Sequence, residues 1–349
     1  MNRPRLLGVL AVLTCLVGLA AAPPAQATGE LAGVAGLGRA LPRQVFAPYF
    51  ETYAGSNLAA LARQSGAGYL TLAFLESTGK GSCTLAWNGD PATPAAWSTF
   101  GPDIARIRAR GGDVIPSFGG YSADHGGTDI AESCTSVPRI AAAYEQVVTT
   151  YGVTRLDLDV EDNALNRPRS IDRRNRAIRL VEAWAAARGR TVQFSYTLPT
   201  GTAGLDPTSV ALLENAKGHG VQVRVVNIMT FDYYDGASHE MARDTRTAAG
   251  AVIAQLRAIY PHQSEAALWS RLGITEMIGI DDFGPAETFT LADARAVRIW
   301  AAGKGVATLS YWALQRDNGG CPGTAGSDSC SGVTQARWQF SHVFEPFTS

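Results

Sequence analysis

The chain has 349 residues, 46% of them hydrophobic, with 30 Lys and Arg against 31 Asp and Glu. A near-neutral balance without basic runs argues against a nucleic-acid partner. Residues 1–27 read as a secretory signal peptide, because Arg3 and Arg5 precede an apolar run that ends in the small-residue pattern Ala25, Gln26, Ala27. Removing them takes away two arginines and no acids, leaving 28 basic against 31 acidic residues. No later apolar run reaches the roughly 18 residues of a membrane span, so no membrane partner is expected and the localisation reads as secreted, extracellular. Residues 28–42 are Gly- and Ala-rich and read as a loose leader. From 43 to 349 the chain carries no long linker or low-complexity tract, which fits one large domain. The oligomeric state is not legible.

From residue 44 onward, short apolar runs alternate with amphipathic stretches. Eight runs read as strands: 45–50, 69–75, 113–118, 154–161, 191–198, 223–231, 274–280 and 307–314. Helical patterns lie between them at 57–64, 102–110, 137–151, 170–187, 207–217, 241–259 and 291–302. Strictly alternating units imply parallel pairing and right-handed crossovers, and eight of them close most simply into an α/β fold of the (β/α)8 TIM-barrel class. An open doubly wound sheet is the alternative. It usually carries a glycine-rich phosphate loop after its first strand, and the stretch from Glu51 to Ser56 has no GxGxxG.

The fourth run, YGVTRLDLDVED at 151–162, alternates apolar and acidic residues. A period of 2 puts Asp157, Asp159 and Glu161 on one face and Leu156, Leu158 and Val160 on the other. Acids on an edge strand facing water would do nothing chemical. In a barrel, however, the apolar face must meet the helix layer, so the acids point into the mouth at the strands' C-terminal ends. Three carboxylates crowded there disfavour full ionisation, so the row is suited to holding a proton.

Other strand ends add to this mouth. The third closes on Ser117, Phe118, Gly119, Gly120, where paired glycines admit positive φ or a close approach of backbone to a ligand. The sixth ends in Met229, Thr230, Phe231, Asp232, Tyr233, Tyr234, and the eighth carries Trp312. Several aromatic rings around one mouth with carboxylates between them suggest a sugar-binding cleft. Four cysteines follow the signal segment: Cys83, Cys134, Cys321 and Cys330. Three connectivities are open, and pairing Cys83 with Cys134 and Cys321 with Cys330 is favoured because the second pair closes a short Gly/Ser-rich loop. No metal-ligand spacing is present and the five histidines are scattered, so neither metal nor cofactor is expected.

On these residues the chain resembles glycoside hydrolase family 18, the chitinases and related endo-N-acetylglucosaminidases, over about residues 44–317. Ser117 to Gly120 looks like the family's SxGG, Asp157 to Glu161 like its DxDxE, and Met229 to Asp232 like its MxYD. Trp312 resembles its last-strand tryptophan. The resemblance implies a chitinase cleaving β-1,4 bonds of N-acetylglucosamine polymers. Glu161 would be general acid and base, Asp159 the orienter of the substrate's N-acetyl group, and Asp157 its proton partner. The substrate's own amide would act as nucleophile, with retention of configuration. Ser117, Gly119, Gly120, Met229, Asp232, Tyr233, Tyr234 and Trp312 would bind substrate. Two positions depart from the pattern: Thr154 stands where the longer motif has Asp, and Phe231 stands at the tyrosine of MxYD. A phenyl ring donates no hydrogen bond, which leaves Tyr233 or Tyr234 to supply a hydroxyl. The partner expected is chitin or another N-acetylglucosamine-containing glycan. An endo-β-N-acetylglucosaminidase acting on other glycans and a non-hydrolytic chitin-binding lectin are the alternatives. Retained Glu161 speaks against the lectin, and an open cleft with endo action is the expectation.

Overall fold

The computed structural model describes Met1 and residues 38–349. The signal-peptide reading of 1–27 and most of the leader lie outside the described residues. Among the described residues, no helix is long and apolar enough to cross a membrane.

The first strand, β1, comes in two pieces, Val45–Phe46 and Tyr49–Glu51. The break falls beside Pro48, which has no N–H to give to a ladder. The remaining barrel strands are β2 (Tyr69–Ser77), β3 (Asp113–Gly119), β4 (Arg155–Asp159), β5 (Gln193–Gly201), β6 (Val223–Met229), β7 (Leu272–Met277) and β8 (Thr308–Trp312). Val45 and Phe46 pair in parallel with Thr308 and Leu309, whereas Tyr49, Phe50 and Glu51 pair in parallel with Thr71, Leu72 and Ala73. The sheet therefore runs from β1 through β8, β7, β6, β5, β4, β3 and β2 back to β1. This closes the (β/α)8 barrel anticipated from the alternation, and closure gives each barrel strand a neighbour on both sides.

Helices fall where the periodicity placed them, with ends set by local chemistry. Asn57 accepts the Ala60 N–H at 2.8 Å to open helix Leu58–Ser65, and Gly66 closes it at φ 78°. Thr290 and Asp293 form a reciprocal capping box at the start of Leu291–Lys304. The helix expected from 102 begins earlier, at Trp97, and carries Pro102 within its second turn. There the missing N–H costs a single intrahelical bond.

Strand ends differ from the expectation in ways that build the rim. β4 stops at Asp159, but Val160 still donates to the Thr197 carbonyl at 3.0 Å, and Glu161 stays extended at φ −125°, ψ 171° before helix Asp162–Leu165. The parity of the acid row survives. β6 stops at Met229 and β7 at Met277 rather than 231 and 280. Beyond β7, Gly279–Asp281 pairs antiparallel with Gly284–Phe289 in a hairpin that the sequence reading did not separate from the strand. Gly279 takes φ 82°, and a Cβ there would fall 1.8 Å from the Ser331 carbonyl oxygen, so the turn requires glycine.

Leu156, Leu158 and Val160 are buried on the outer face of the β4 segment. Helix Gln339–Phe344 lays Phe344 against Phe46, Phe289 and Tyr311, with ring centroids 5.6, 6.3 and 5.8 Å apart. Burial of each such ring contributes about 2 kcal/mol. Two disulfides, Cys83–Cys134 and Cys321–Cys330, pair as favoured from the sequence. The first ties the loop after β2 to the segment after β3, and the second clasps the loop after β8.

Candidate active site

The register of β3, β4 and β5 decides what surrounds the acid row. Ser117 lies opposite Asp157 on one side and Ser195 on the other, while Gly119 and Thr197 flank Asp159. Asp157 is consequently caged by hydroxyls. Its Oδ2 accepts from Ser117 at 2.7 Å and Tyr49 at 3.1 Å, its Oδ1 accepts from Ser195 at 2.7 Å, and the Thr197 hydroxyl reaches both oxygens at 3.0 Å. Burial pushes the Asp157 carboxyl above its ordinary range, and these hydroxyls pull it back.

Asp159 sits one step up the strand under different conditions. It is only 3% exposed and its Oδ1 has no hydrogen-bond partner among the described residues. Burial first, then the charges of Glu161, Asp157 and Asp124, hold it well above the usual carboxylate range. Of the two aspartates, Asp157 has donors to stabilise a negative charge and Asp159 does not, so the proton of the pair resides on Asp159.

Glu161 is half-buried at the head of the row. Its backbone N–H donates to Asp124 Oδ2 at 2.5 Å, which anchors the start of the short helix. Burial, then the charges of Asp162 and Asp232, raises its carboxyl to about 7. A carboxyl near 7 can both give and take a proton at neutral pH.

Above the row opens a cleft of about 730 Å³. Phe74 and Trp312, stacked at 5.8 Å and 10°, form its apolar floor, and Tyr49 supports both rings from below. Asp159, Glu161, Met229, Phe231, Asp232 and Tyr234 line the walls. Asp232 adopts φ 50° and donates its N–H to Asp281 Oδ2 at 3.2 Å, so the hairpin after β7 holds this loop. Burial and the neighbouring Asp282 raise its carboxyl to about 7.

Several residues assigned to substrate binding from sequence stand elsewhere. Ser117, Gly119 and Gly120 do not line the cleft. Ser117 holds Asp157, a Cβ on Gly119 would meet the Asp159 carbonyl oxygen at 2.1 Å, and one on Gly120 would meet the Phe74 ring at 2.6 Å. The two glycines, at φ 96° and 82°, make room for the site's own walls rather than for a ligand. Tyr233 also turns away, its ring 4.7 Å from His239 and its N–H donating to Glu287. Tyr234 lies in the cleft wall, 66% exposed and edge-on to Phe283 at 3.7 Å. Burial and then the charges of Asp232, Asp282, Asp162 and Glu161 keep its phenol protonated. Of Tyr233 and Tyr234, it is therefore Tyr234 that shares the cleft lining with Glu161 and Asp232.

Other lining residues were not singled out from sequence: Phe74, Tyr53, Glu76, Tyr121, Asp282 and Asp328. Phe74 and Glu76 share one parity of β2, Tyr121 opens the helix Tyr121–Gly126, and Tyr53, Asp282 and Asp328 sit in turns, where no periodicity marks a side chain's direction. Strand parity could have found Tyr49, Ser195 and Thr197, because each shares the inward face of its strand.

Comparisons with known proteins agree with this geometry. No family model matches the chain. It is 31% identical over 323 residues, 89% of its length, to a probable bifunctional chitinase/lysozyme of Escherichia coli (strain K12), and 30% identical over 290 residues, 80% of its length, to Endochitinase 11 of Metarhizium anisopliae. The chain spans 35% and 53% of those two relatives. Among solved structures it matches catalytic-site mutants of active domain 2 of a thermostable chitinase from Pyrococcus furiosus complexed with chito-oligosaccharides. That match has 31% identity and a TM-score of 0.78, covering 88% of this chain and 95% of that one. With the barrel closed, the acid row in its mouth and a relative matched over nearly all of its length, the chain belongs to glycoside hydrolase family 18, the chitinases.

Proposed function

We propose that the chain hydrolyses β-1,4 bonds next to N-acetylglucosamine in chitin or a related glycan, with retention of configuration. The observation that carries the reading is the buried Asp159, whose Oδ1 has no partner among the described residues and whose carboxyl is held well above the usual range, beside Glu161 raised to about 7 above a stacked aromatic floor. The sugar stacks on Trp312 and Phe74. Asp159 orients the substrate's N-acetyl group so that the amide oxygen faces the anomeric carbon. Glu161 gives its proton to the glycosidic oxygen as that C–O bond breaks and the amide oxygen bonds the anomeric carbon, forming an oxazolinium ion. Glu161, now a carboxylate, takes a proton from water as the water's oxygen attacks the anomeric carbon and expels the amide. Two displacements give net retention, and the protein forms no covalent bond. Asp157 stays ionised in its hydroxyl cage and offsets the developing positive charge. The Tyr234 hydroxyl takes the place of the missing tyrosine. Secretion is part of the proposal, supported by the signal-like residues 1–27 and by the two disulfides.

The test is hydrolysis of a chito-oligosaccharide by the wild-type chain and by Glu161→Gln, with the product anomer read by NMR. The β-anomer is expected first, and kcat/KM is expected to fall by about 10² to 10⁴ in the variant. Equal activity of the two would remove Glu161 from its role. Wild-type binding without turnover would favour a lectin, and cleavage of a glycoprotein glycan but not the oligomer would favour an endo-β-N-acetylglucosaminidase.

A further inference from the structure

The inward face of β4 does not begin with an acid. Arg155 shares the parity of Asp157 and Asp159 and sits one step below them, 3% exposed in the barrel interior. Its Nε and Nη2 donate to Gln193 Oε1 at 3.1 and 2.9 Å, and its Nη1 donates to Thr308 Oγ1 at 3.4 Å. All three nitrogens thus go to neutral oxygens. A buried cation held only by neutral partners is costly unless an opposite charge stands near it. That charge is Asp157, because Arg155 and Asp157 line the same small space, of about 10 Å³, inside the barrel. We propose that Arg155 is a positioning residue of the active site: it is the counter-charge of the acid row, keeping Asp157 ionised so that the row's proton stays on Asp159. The inference rests on the roles given above to these two aspartates.

Other groups around the pair do not replace it. Asp157 faces Tyr49 of β1, Ser117 of β3, Asp159 of its own strand, and Ser195 and Thr197 of β5. None of these carries a positive charge. Arg155 faces Gln193 of β5, Arg224 of β6 and Thr308 of β8. Burial and then Arg224 bring its pKa down to about 9, with Asp157 opposing, so the guanidinium remains charged through the neutral and acid range. Residues two apart on a strand are separated by roughly 6.6 Å. A unit charge at that distance, with an effective dielectric constant near 20, moves a neighbouring carboxyl by about 1 to 2 pH units. Glu161 lies six residues up the strand, roughly 20 Å from Arg155, where the effect is small.

The experiment compares Arg155→Gln, Arg155→Lys and Gln193→Glu with the wild-type chain. The pH profile of kcat/KM is read on a chito-oligosaccharide, and Asp157 is titrated without substrate by infrared difference spectroscopy on ¹³C-aspartate protein, assigned through Asp157→Asn. In Arg155→Gln the acid limb and the Asp157 titration are expected to move up by about 1 to 2 pH units while the basic limb stays. Arg155→Lys retains the charge and should leave both near wild type. Gln193→Glu leaves Arg155 in place but pairs it, and should move the acid limb up as well. A folded Arg155→Gln with an unmoved limb and an unmoved titration overturns the proposal. Should that variant fail to fold, Gln193→Glu decides by the same two readings. If the wild-type chain cleaves no chito-oligosaccharide, the functional reading fails, and the Asp157 titration alone upholds or overturns the role of Arg155.

Discussion

Replacing Thr197 by Val tests the division of labour between the two aspartates with almost no change of shape. The Thr197 hydroxyl is 3.0 Å from both oxygens of Asp157, 2.9 Å from the Tyr49 hydroxyl, and accepts from Asn227 Nδ2 at 3.0 Å. A hydrogen bond to a charged acceptor contributes about 1.5 to 3 kcal/mol, and 1.36 kcal/mol corresponds to one pKa unit. The Asp157 carboxyl should therefore rise by about 1 to 2 units. The competent form has one proton and one charge on the Asp157 and Asp159 pair, and it is lost as pH falls far enough to add a second proton. Raising the pKa makes that loss begin at higher pH, so the acid limb of kcat/KM moves up by about 1 to 2 units. The basic limb reports Glu161, near 7, and should stay. Unchanged limbs in the folded variant, or movement of the basic limb alone, would refute the assignment of the charge to Asp157.

Tyr234→Phe should lower kcat by roughly tenfold or more with little change in KM, whereas Tyr233→Phe should leave both unchanged, because only Tyr234 lines the cleft. Steady-state kinetics on one oligomer separates the two, and a loss confined to Tyr233→Phe would contradict the placement. Replacing each disulfide by a pair of serines should destabilise unequally in denaturant unfolding. Loop-closure entropy gives about 4 kcal/mol for Cys83–Cys134, which closes 51 residues, and about 3 kcal/mol for Cys321–Cys330, which closes 9. Stability should also fall as pH rises. Glu161, Asp232, Glu51, Glu276 and Asp281 have pKa values raised to about 7, 7, 8, 8 and 8, so their contribution is complete below the ordinary carboxylate range and disappears as pH passes through the raised values. The melting temperature at pH 5 should exceed that at pH 9, and the reverse order would show that these carboxyls stay ionised in the folded state.

What the sequence determined by itself was periodic. Strict alternation at 156–161 assigned the faces of the acid row whatever the exact strand end, so Glu161 stayed in line although β4 stops at Asp159. Eight strands alternating with helices implied closure, and the short Gly/Ser-rich loop between Cys321 and Cys330 favoured their pairing. Tertiary structure decided what each acid experiences. The donors to Asp157 come from 38 to 108 residues away, and barrel register, not local pattern, brings Tyr49, Ser117, Ser195 and Thr197 to it. Glycines 119 and 120 read equally well as ligand contacts until the Asp159 carbonyl and the Phe74 ring fill the space beside them. The choice between Tyr233 and Tyr234 rested on a loop whose backbone is held by Asp281 and Glu287 of a hairpin fifty residues later, a long-range contact with no periodic signal. Alternation can say which way a side chain points, but only the closed barrel sets which charges and hydroxyls meet it, and those set where the proton rests.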